Sequence, residues 1–192
     1  MWEIGMRLDV LREFSSGRAS TTYPQTDIES QALQLRKVLE LIAYSSLVPN
    51  RKAYEAVRTD IRKDWHANRI IAKIERINPN FYLIPIERLK GNTTQLKRSG
   101  FLTKRQFVQL YDRCGTILHA KNPFSRVSQR SFAFQKTIPC YVTRIEGLLF
   151  EHIVRLAKPG EELYVRFPMN SGDPYFAAYL AHPKASTSII DA

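Results

Sequence analysis

Residues 103–121 read TKRQFVQLYDRCGTILHAK, and this stretch decides the fold because it specifies one amphipathic helix with a defined start. Thr103 followed three residues later by Gln106 is a capping box, in which each side chain bonds to the backbone N–H of the other residue. Apolar side chains then recur at spacings of three and four, which places them on one face of a helix. They are Phe107, Leu110, Tyr111, Cys114, Ile117 and Leu118. The pattern predicts a helix from residue 104 to about residue 121, stopped by Asn122-Pro123.

Upstream of this helix, the sequence predicts two further helical regions and one extended segment. After a short amphipathic piece and a polar loop within residues 1–25, Thr26 and Glu29 form a second capping box. Apolar residues at helical spacing continue to Val48-Pro49-Asn50, and a highly charged helical region follows over residues 51–77. The segment FYLIPIERL (81–89) predicts a strand, which Pro85 assigns to the edge of a sheet.

Downstream of the helix, the sequence changes character at residue 138. The runs YVTRI, LLFEHIVRL, ELYVRF and YFAAYLA favour strands, and turn signals at residues 146–147, 158–160 and 170–174 separate them. This pattern is typical of an antiparallel meander. Helices followed by strands predict an α+β fold. We expect a helical domain over residues 1–137 and a β-meander extension over residues 138–192, which can pack on the same core.

The positive charge of the chain is concentrated in one segment. The net charge is +11, and residues 88–136 contain eleven Lys and Arg side chains against a single carboxylate, Asp112. Such segregation opposes folding through self-repulsion and favours a polyanionic partner, most simply RNA. A solvated, solubilising face is the alternative. The predicted nucleic-acid-binding residues are Lys97, Arg98, Lys104, Arg105, Lys121, Arg126 and Arg130.

Composition excludes several classes of protein. Hydrophobic residues make up 44% of the chain, enough for a real core. The opening residues lack the pattern of a secretory leader, and no apolar run approaches the ~20 residues that span a bilayer. Cys114 and Cys140 supply neither a disulfide framework nor a zinc pattern. We therefore expect a soluble cytoplasmic protein without a membrane partner, metal or cofactor.

Arg113 and His119 bracket the polar face of the predicted helix 104–121, and Arg105, Gln109, Asp112 and Thr116 lie between them on that face. This pair suits phosphodiester chemistry. Imidazole transfers protons near neutral pH, and guanidinium stabilises charge that develops on phosphoryl oxygens. RNA supplies its own nucleophile, the ribose 2′-hydroxyl, so this chemistry requires no metal.

The string LYDRCGTILHAKNPF (110–124) resembles the HEPN superfamily of helical nucleotide-binding domains, whose signature is Arg, four to six residues, then His on a late helix. The resemblance is loose over residues 27–123 and closer over residues 107–124. It implies a metal-independent endoribonuclease of a bacterial defence or toxin system, with a composite site across a homodimer. His119 would be the general acid/base and Arg113 the phosphate stabiliser, supported by Asp112, Thr116 and Asn122. Cys114 departs from the polar residue usual after the Arg.

Several alternatives stay open at the level of sequence. Arg113 and His119 can instead be a surface side chain and a helix-end side chain that stabilise the helix terminus. Phe124, Phe132 and Phe134 can either stack on bases or fix their loop to the core. His152 and His182, in predicted strands, are expected to be structural, and Cys114 is expected to be a buried apolar residue. The whole protein can also be a non-catalytic nucleic-acid-binding or adaptor protein, or can dock an acidic protein such as an antitoxin.

Overall fold

Helix α1 (Trp2–Ser15) and helix α2 (Pro24–Leu47) open the chain, and a short 3-10 helix (Val48–Asn50) follows α2. The structure is a computed structural model. It describes residues 2–51, 55, 71–73, 75–76, 78–88, 94–119, 133–158, 160–167 and 177–181. Strands β1 (Ile84–Arg88) and β2 (Thr94–Leu96) precede helix α3 (Lys104–Leu118). Helix α4 (Ile138–Leu149) and strands β3 (Glu151–Arg155), β4 (Glu162–Arg166) and β5 (Ala177–Ala181) complete the described elements.

Helix α2 is central to the helical layer, because it packs against both α1 and α3. Its buried side chains lie in one core cluster with the apolar residues of α1, α3 and α4. An ion pair between Arg12 of α1 and Glu146 of α4 adds a polar link at the border of this layer. The apolar faces of α2 and α3 therefore pack into one shared core, and this packing fixes the orientation of α3.

Within the described residues, five antiparallel strands form one sheet in the order β2-β1-β3-β4-β5. Strand β1 has neighbours on both sides, since Ile86 pairs with Leu96 of β2 and Pro85 pairs with His152 of β3. The prediction that Pro85 marks an edge strand is therefore wrong. The carbonyl of Pro85 still accepts a hydrogen bond from the N–H of Lys97 at 2.9 Å.

The two faces of the sheet differ in what covers them. Successive side chains along a strand point to opposite faces. The inner face carries Val154, Leu163 and Val165, which belong to the core or pack against it, and α4 contacts β1 and β3. The outer face carries Glu151 and Arg155 of β3 with their partners on β4.

The segment YVTRI (141–145) was predicted as a strand and is helical in the structure, inside α4. Ile138, Val142, Ile145, Leu148 and Leu149 are buried at spacings of three, four and seven residues, which is a helical period. Burial of that stripe overrides the β-propensity of the individual residues. Only residues 151–155 of the run LLFEHIVRL form a strand.

The predicted capping box at Thr26 is also wrong. Helix α2 begins at Pro24, two residues earlier, and Tyr23 occupies the N-cap position without a side-chain cap. Proline is favoured in the first turn because its missing N–H would have no helical partner there. The hydroxyl of Thr26 donates instead to the carbonyl of Tyr23 at 2.5 Å.

The fold class is α+β, as the sequence predicts, and β1 lies within the segment 81–89 that the sequence assigns to a strand ahead of α3. Strands β1 and β2 come before α3 and join β3 in the same sheet. The core cluster likewise contains residues from both sides of residue 137. The proposed boundary at that residue stays a prediction.

Candidate functional site

The predicted start of α3 is confirmed. The hydroxyl of Thr103 accepts from the N–H of Gln106 at 3.3 Å, and the side-chain oxygen of Gln106 accepts from the N–H of Thr103 at 3.2 Å. The apolar stripe is confirmed as well. Phe107, Leu110, Tyr111 and Cys114 are buried, and Ile117 and Leu118 pack against the core. A fixed start and a buried stripe together determine which residues of α3 face solvent.

The opposite face of α3 is an exposed polar stripe, defined by Arg105, Gln109, Asp112 and Thr116. These residues follow one another at spacings of four, three and four, so they lie along one side of the helix. The hydroxyl of Thr116 donates to the carbonyl of Asp112 at 3.0 Å, which ties Thr116 to its own helix. His119 is exposed three residues beyond Thr116, at the end of this stripe.

Helix α3 ends earlier than predicted. Leu118 is its last residue, and His119 is the C-cap residue, with an extended backbone at φ −79° and ψ 141°. The N–H of His119 still bonds to the carbonyl of Gly115 at 3.2 Å. The φ of His119 stays close to the helical value, so its side chain leaves α3 near the helical projection and the chain departs from the helix only after this residue.

Arg113 lies beside the exposed polar stripe and packs against the core. Its guanidinium carbon is 4.9 Å from the ring centroid of Phe134, and that ring is fully buried. Of the two roles considered for Phe134, the structure supports fixing its segment to the core. Within the described part of the chain, no hydrogen bond or ion pair joins Arg113 to His119.

Cys114 is fully buried. Burial raises the pKa of its thiol to about 12, although the positive charges of Arg36 and Arg113 act in the opposite direction. The thiol is therefore protonated at neutral pH, and the expectation that Cys114 is a buried apolar residue is confirmed. Arg36 also donates to the hydroxyl of Tyr111 at 3.0 Å and stacks over its ring, which links α2 to α3.

Some of the predicted nucleic-acid-binding residues are exposed, and others bond to groups of the protein itself. Arg98 and Arg105 are exposed, just before α3 and in its first turn. Lys97 donates to the carbonyl of Gly147 at 3.5 Å, and Lys104 forms an ion pair with Glu75. Four predicted site residues lie outside the described part of the chain, and these are Lys121, Asn122, Arg126 and Arg130.

His152 is structural, as expected. It is 2% exposed, and its Nδ1 lies 3.0 Å from the carbonyl of Leu149, so the ring donates from Nδ1. Burial lowers its pKa to about 4. The ring is therefore neutral at pH 7. His66 and His182 lie outside the described residues.

A charged cluster on the outer face of the sheet was not predicted from the sequence. Glu151 of β3 accepts from Nε of Arg88 at 2.7 Å and from the hydroxyl of Tyr164 at 2.5 Å, and Nε of Arg166 lies 3.6 Å away. Arg88 also donates to the hydroxyl of Tyr164 at 2.8 Å. These residues come from three strands and are far apart along the chain, so no local spacing reveals them.

Metal-binding clusters and membrane-spanning helices are both absent from the described residues. No group of three or more His, Cys, Asp or Glu side chains there is placed to hold a metal ion. None of the helices described is long and apolar enough to cross a membrane. Comparison with protein-family models, with curated proteins and with solved structures finds no match to this chain.

Proposed function

We propose that this protein is a metal-independent endoribonuclease of HEPN type, serving as a defence or toxin module, in which Arg113 and His119 act on the RNA backbone. The observation that carries the proposal is the exposed polar stripe of α3, which ends at the exposed imidazole of His119. Arg113 lies on the flank of the same helix, at the spacing that the resemblance requires.

Support for RNA as the substrate comes from charge. Arg105 is exposed in the first turn of α3 and Arg98 is exposed in the segment before it, and the positive end of the helix dipole adds to the charge of Arg105. Phosphate groups bind favourably in such an environment. The RNA backbone can then follow the exposed polar stripe towards His119.

The chemistry proposed for the pair is attack within the RNA itself. His119 accepts the proton of a ribose 2′-hydroxyl, and the 2′-oxygen forms a bond to the adjacent phosphorus. The bond from phosphorus to the 5′-oxygen breaks, and the imidazolium returns its proton to that oxygen. The products are a 2′,3′-cyclic phosphate and a 5′-hydroxyl. Arg113 stabilises the charge on the non-bridging oxygens during this step.

In this mechanism the contact with Phe134 pre-organises Arg113 as a phosphate ligand. A guanidinium stacked on a ring loses less freedom when it binds an anion, and its N–H donors lie in a plane that can face solvent. Arg113 and His119 are not bonded to each other among the described residues. We therefore propose that a homodimer brings Arg113 of one protomer to His119 of its partner.

The test is cleavage of RNA in excess chelator by the wild type and by single variants. We expect His119→Ala to lose activity at least about a hundredfold, the usual contribution of a general acid/base. We expect Arg113→Lys to retain part of the activity lost in Arg113→Ala, because Lys keeps the charge without the planar fork. Arg155→Ala, an arginine of β3 outside this site, is the control. Wild-type rates in both His119→Ala and Arg113→Ala would overturn the proposal.

A second candidate is an RNA-binding protein that does not cleave, and the contact between Arg113 and Phe134 favours it. That contact alone gives Arg113 a structural role, fixing the segment around residue 134 to α3. This candidate predicts RNA binding that weakens steeply with added salt and yields no cleavage products. It also predicts that Arg113→Ala lowers thermal stability while His119→Ala changes neither stability nor binding.

A further inference from the structure

The outer face of the sheet contains two arginines held around one buried carboxylate. Glu151 is only 3% exposed, although it lies on the face opposite the core residues Val154, Leu163 and Val165. Arg88 and Arg166 approach it from the strands on either side, and each arginine side chain is 45% exposed. Nε of Arg88 lies 2.7 Å from the carboxylate, and Nε of Arg166 lies 3.6 Å from it. We call these three residues with Tyr164 the outer-face cluster.

The charges of the outer-face cluster do not balance. One carboxylate compensates one guanidinium, and burial of Glu151 already requires such a partner. The second guanidinium adds a positive charge that the cluster itself does not neutralise. Tyr164 fixes the geometry further, because its hydroxyl donates to Glu151 and accepts from Arg88. Two half-exposed guanidiniums with one excess charge can supply charge-assisted N–H donors to the oxygens of one phosphate.

An aromatic ring lies next to this cluster. Phe150 connects α4 to β3, and this residue is 45% exposed. The guanidinium carbon of Arg166 is 5.9 Å from the centroid of that ring. An exposed aromatic ring beside phosphate-binding cations is the combination by which proteins bind single-stranded nucleic acid, since bases stack while the backbone is neutralised. A free phosphate would have no use for the ring.

We propose that Arg88 and Arg166 together bind a backbone phosphate of a single-stranded nucleic acid, and that a neighbouring base stacks on Phe150. This site lies on the sheet and is separate from the exposed polar stripe of α3. It does not depend on cleavage by Arg113 and His119. Glu151 is a positioning residue that orients the two guanidiniums.

The test uses substitutions that keep the net charge. Arg88→Gln with Glu151→Gln removes one guanidinium and its buried partner together, which avoids leaving a buried charge unpaired. The matched control is Arg155→Gln with Glu162→Gln. That pair joins β3 to its other neighbour, β4, on the same face of the sheet, with Nε 2.9 Å from the carboxylate and an equally exposed arginine. Both double variants carry the wild-type net charge.

The probe is a fluorescent single-stranded 2′-O-methyl oligonucleotide of about ten residues, which lacks the attacking hydroxyl and so reports binding without cleavage. We expect the Arg88→Gln/Glu151→Gln variant to bind about tenfold more weakly, the loss of one charge-assisted contact. The slope of log affinity against log salt should fall by about one. The control pair should bind like the wild type.

Two further variants keep the proposal falsifiable if the first double variant does not fold. Arg166→Gln leaves the closer Arg88–Glu151 pair intact and should weaken binding, whereas Arg155→Gln, with the same change of charge, should not. Phe150→Ala should weaken binding to the oligonucleotide but not to an abasic strand of the same length. Equal affinities for Arg166→Gln and Arg155→Gln would overturn the proposal, whatever the RNA cleavage assay shows.

Discussion

At the scale of single residues, buried His152 makes the stability of the protein depend on pH. Burial holds the pKa of His152 at about 4 in the folded chain, against an ordinary value near 6.5. Between these values the unfolded chain binds more protons, so stability rises with pH through this window and is complete above it. We expect the free energy of unfolding to fall by about 2 kcal/mol between pH 7.5 and pH 5 on this account.

Urea unfolding at both pH values measures this effect. His152→Gln should remove most of the difference while losing some stability at pH 7.5, because the new side chain cannot become charged. An equal pH dependence in the wild type and His152→Gln would show that other groups cause it.

At the scale of elements, the two capping boxes that the sequence predicts should respond differently to the same substitution. Thr103→Ala should cost about 1 kcal/mol, because its hydroxyl satisfies an N–H in the first turn of α3. Thr26→Ala should cost clearly less, because Thr26 lies inside α2, which begins at Pro24. Thermal unfolding of both variants measures this difference. Equal losses would contradict the observed start of α2.

At Gly147 of α4, helix propensity favours alanine, whereas the packing of the surrounding backbone favours glycine. A Cβ on Gly147 would lie 2.1 Å from the carbonyl oxygen of Gly100, so Gly147→Ala must displace that backbone. We expect a loss of about 2 kcal/mol, within the usual cost of overpacking. Gly5→Ala is the matched control, since Gly5 is also helical and its Cβ would meet only the ring of Phe167 at 3.8 Å. It should stabilise α1 by up to about 1 kcal/mol.

Gly147 also illustrates why some elements could not be predicted. Glu146-Gly147 was interpreted as a turn, because glycine inside a helix is unfavourable. In the structure, the backbone of Gly100 lies so close to Gly147 that a side chain would not fit there. This contact joins segments that are distant in sequence, so no local pattern reveals it. Thr103, Gln106 and the apolar stripe of α3 needed no such information, since capping and periodicity are local. Local rules therefore predicted α3 well and failed where distant segments meet.

At the scale of the whole molecule, the same division separates the two candidate sites. The exposed polar stripe of α3 follows from helical periodicity, so the sequence predicts it. The outer-face cluster depends on strand order, because β1 lies beside β3 and β3 beside β4. That order brings Arg88 and Arg166 to Glu151 from opposite sides. The basic segment 88–136 therefore does not describe every cationic cluster of the protein. Arg88 belongs to that segment, but it shares the carboxylate of Glu151 with Arg166, and both of these partners lie outside it.

Whether a composite active site exists can be tested by mixing two inactive variants. If Arg113 of one protomer serves His119 of its partner, a heterodimer of Arg113→Ala and His119→Ala contains one intact site and one doubly damaged site. An equal mixture that exchanges subunits should then recover about a quarter of wild-type RNA cleavage, because half of the dimers are heterodimers with one of two sites active. A pair acting within one chain would recover nothing. Mixing either variant with the Arg113→Ala/His119→Ala double variant is the control, and it should stay inactive in both cases.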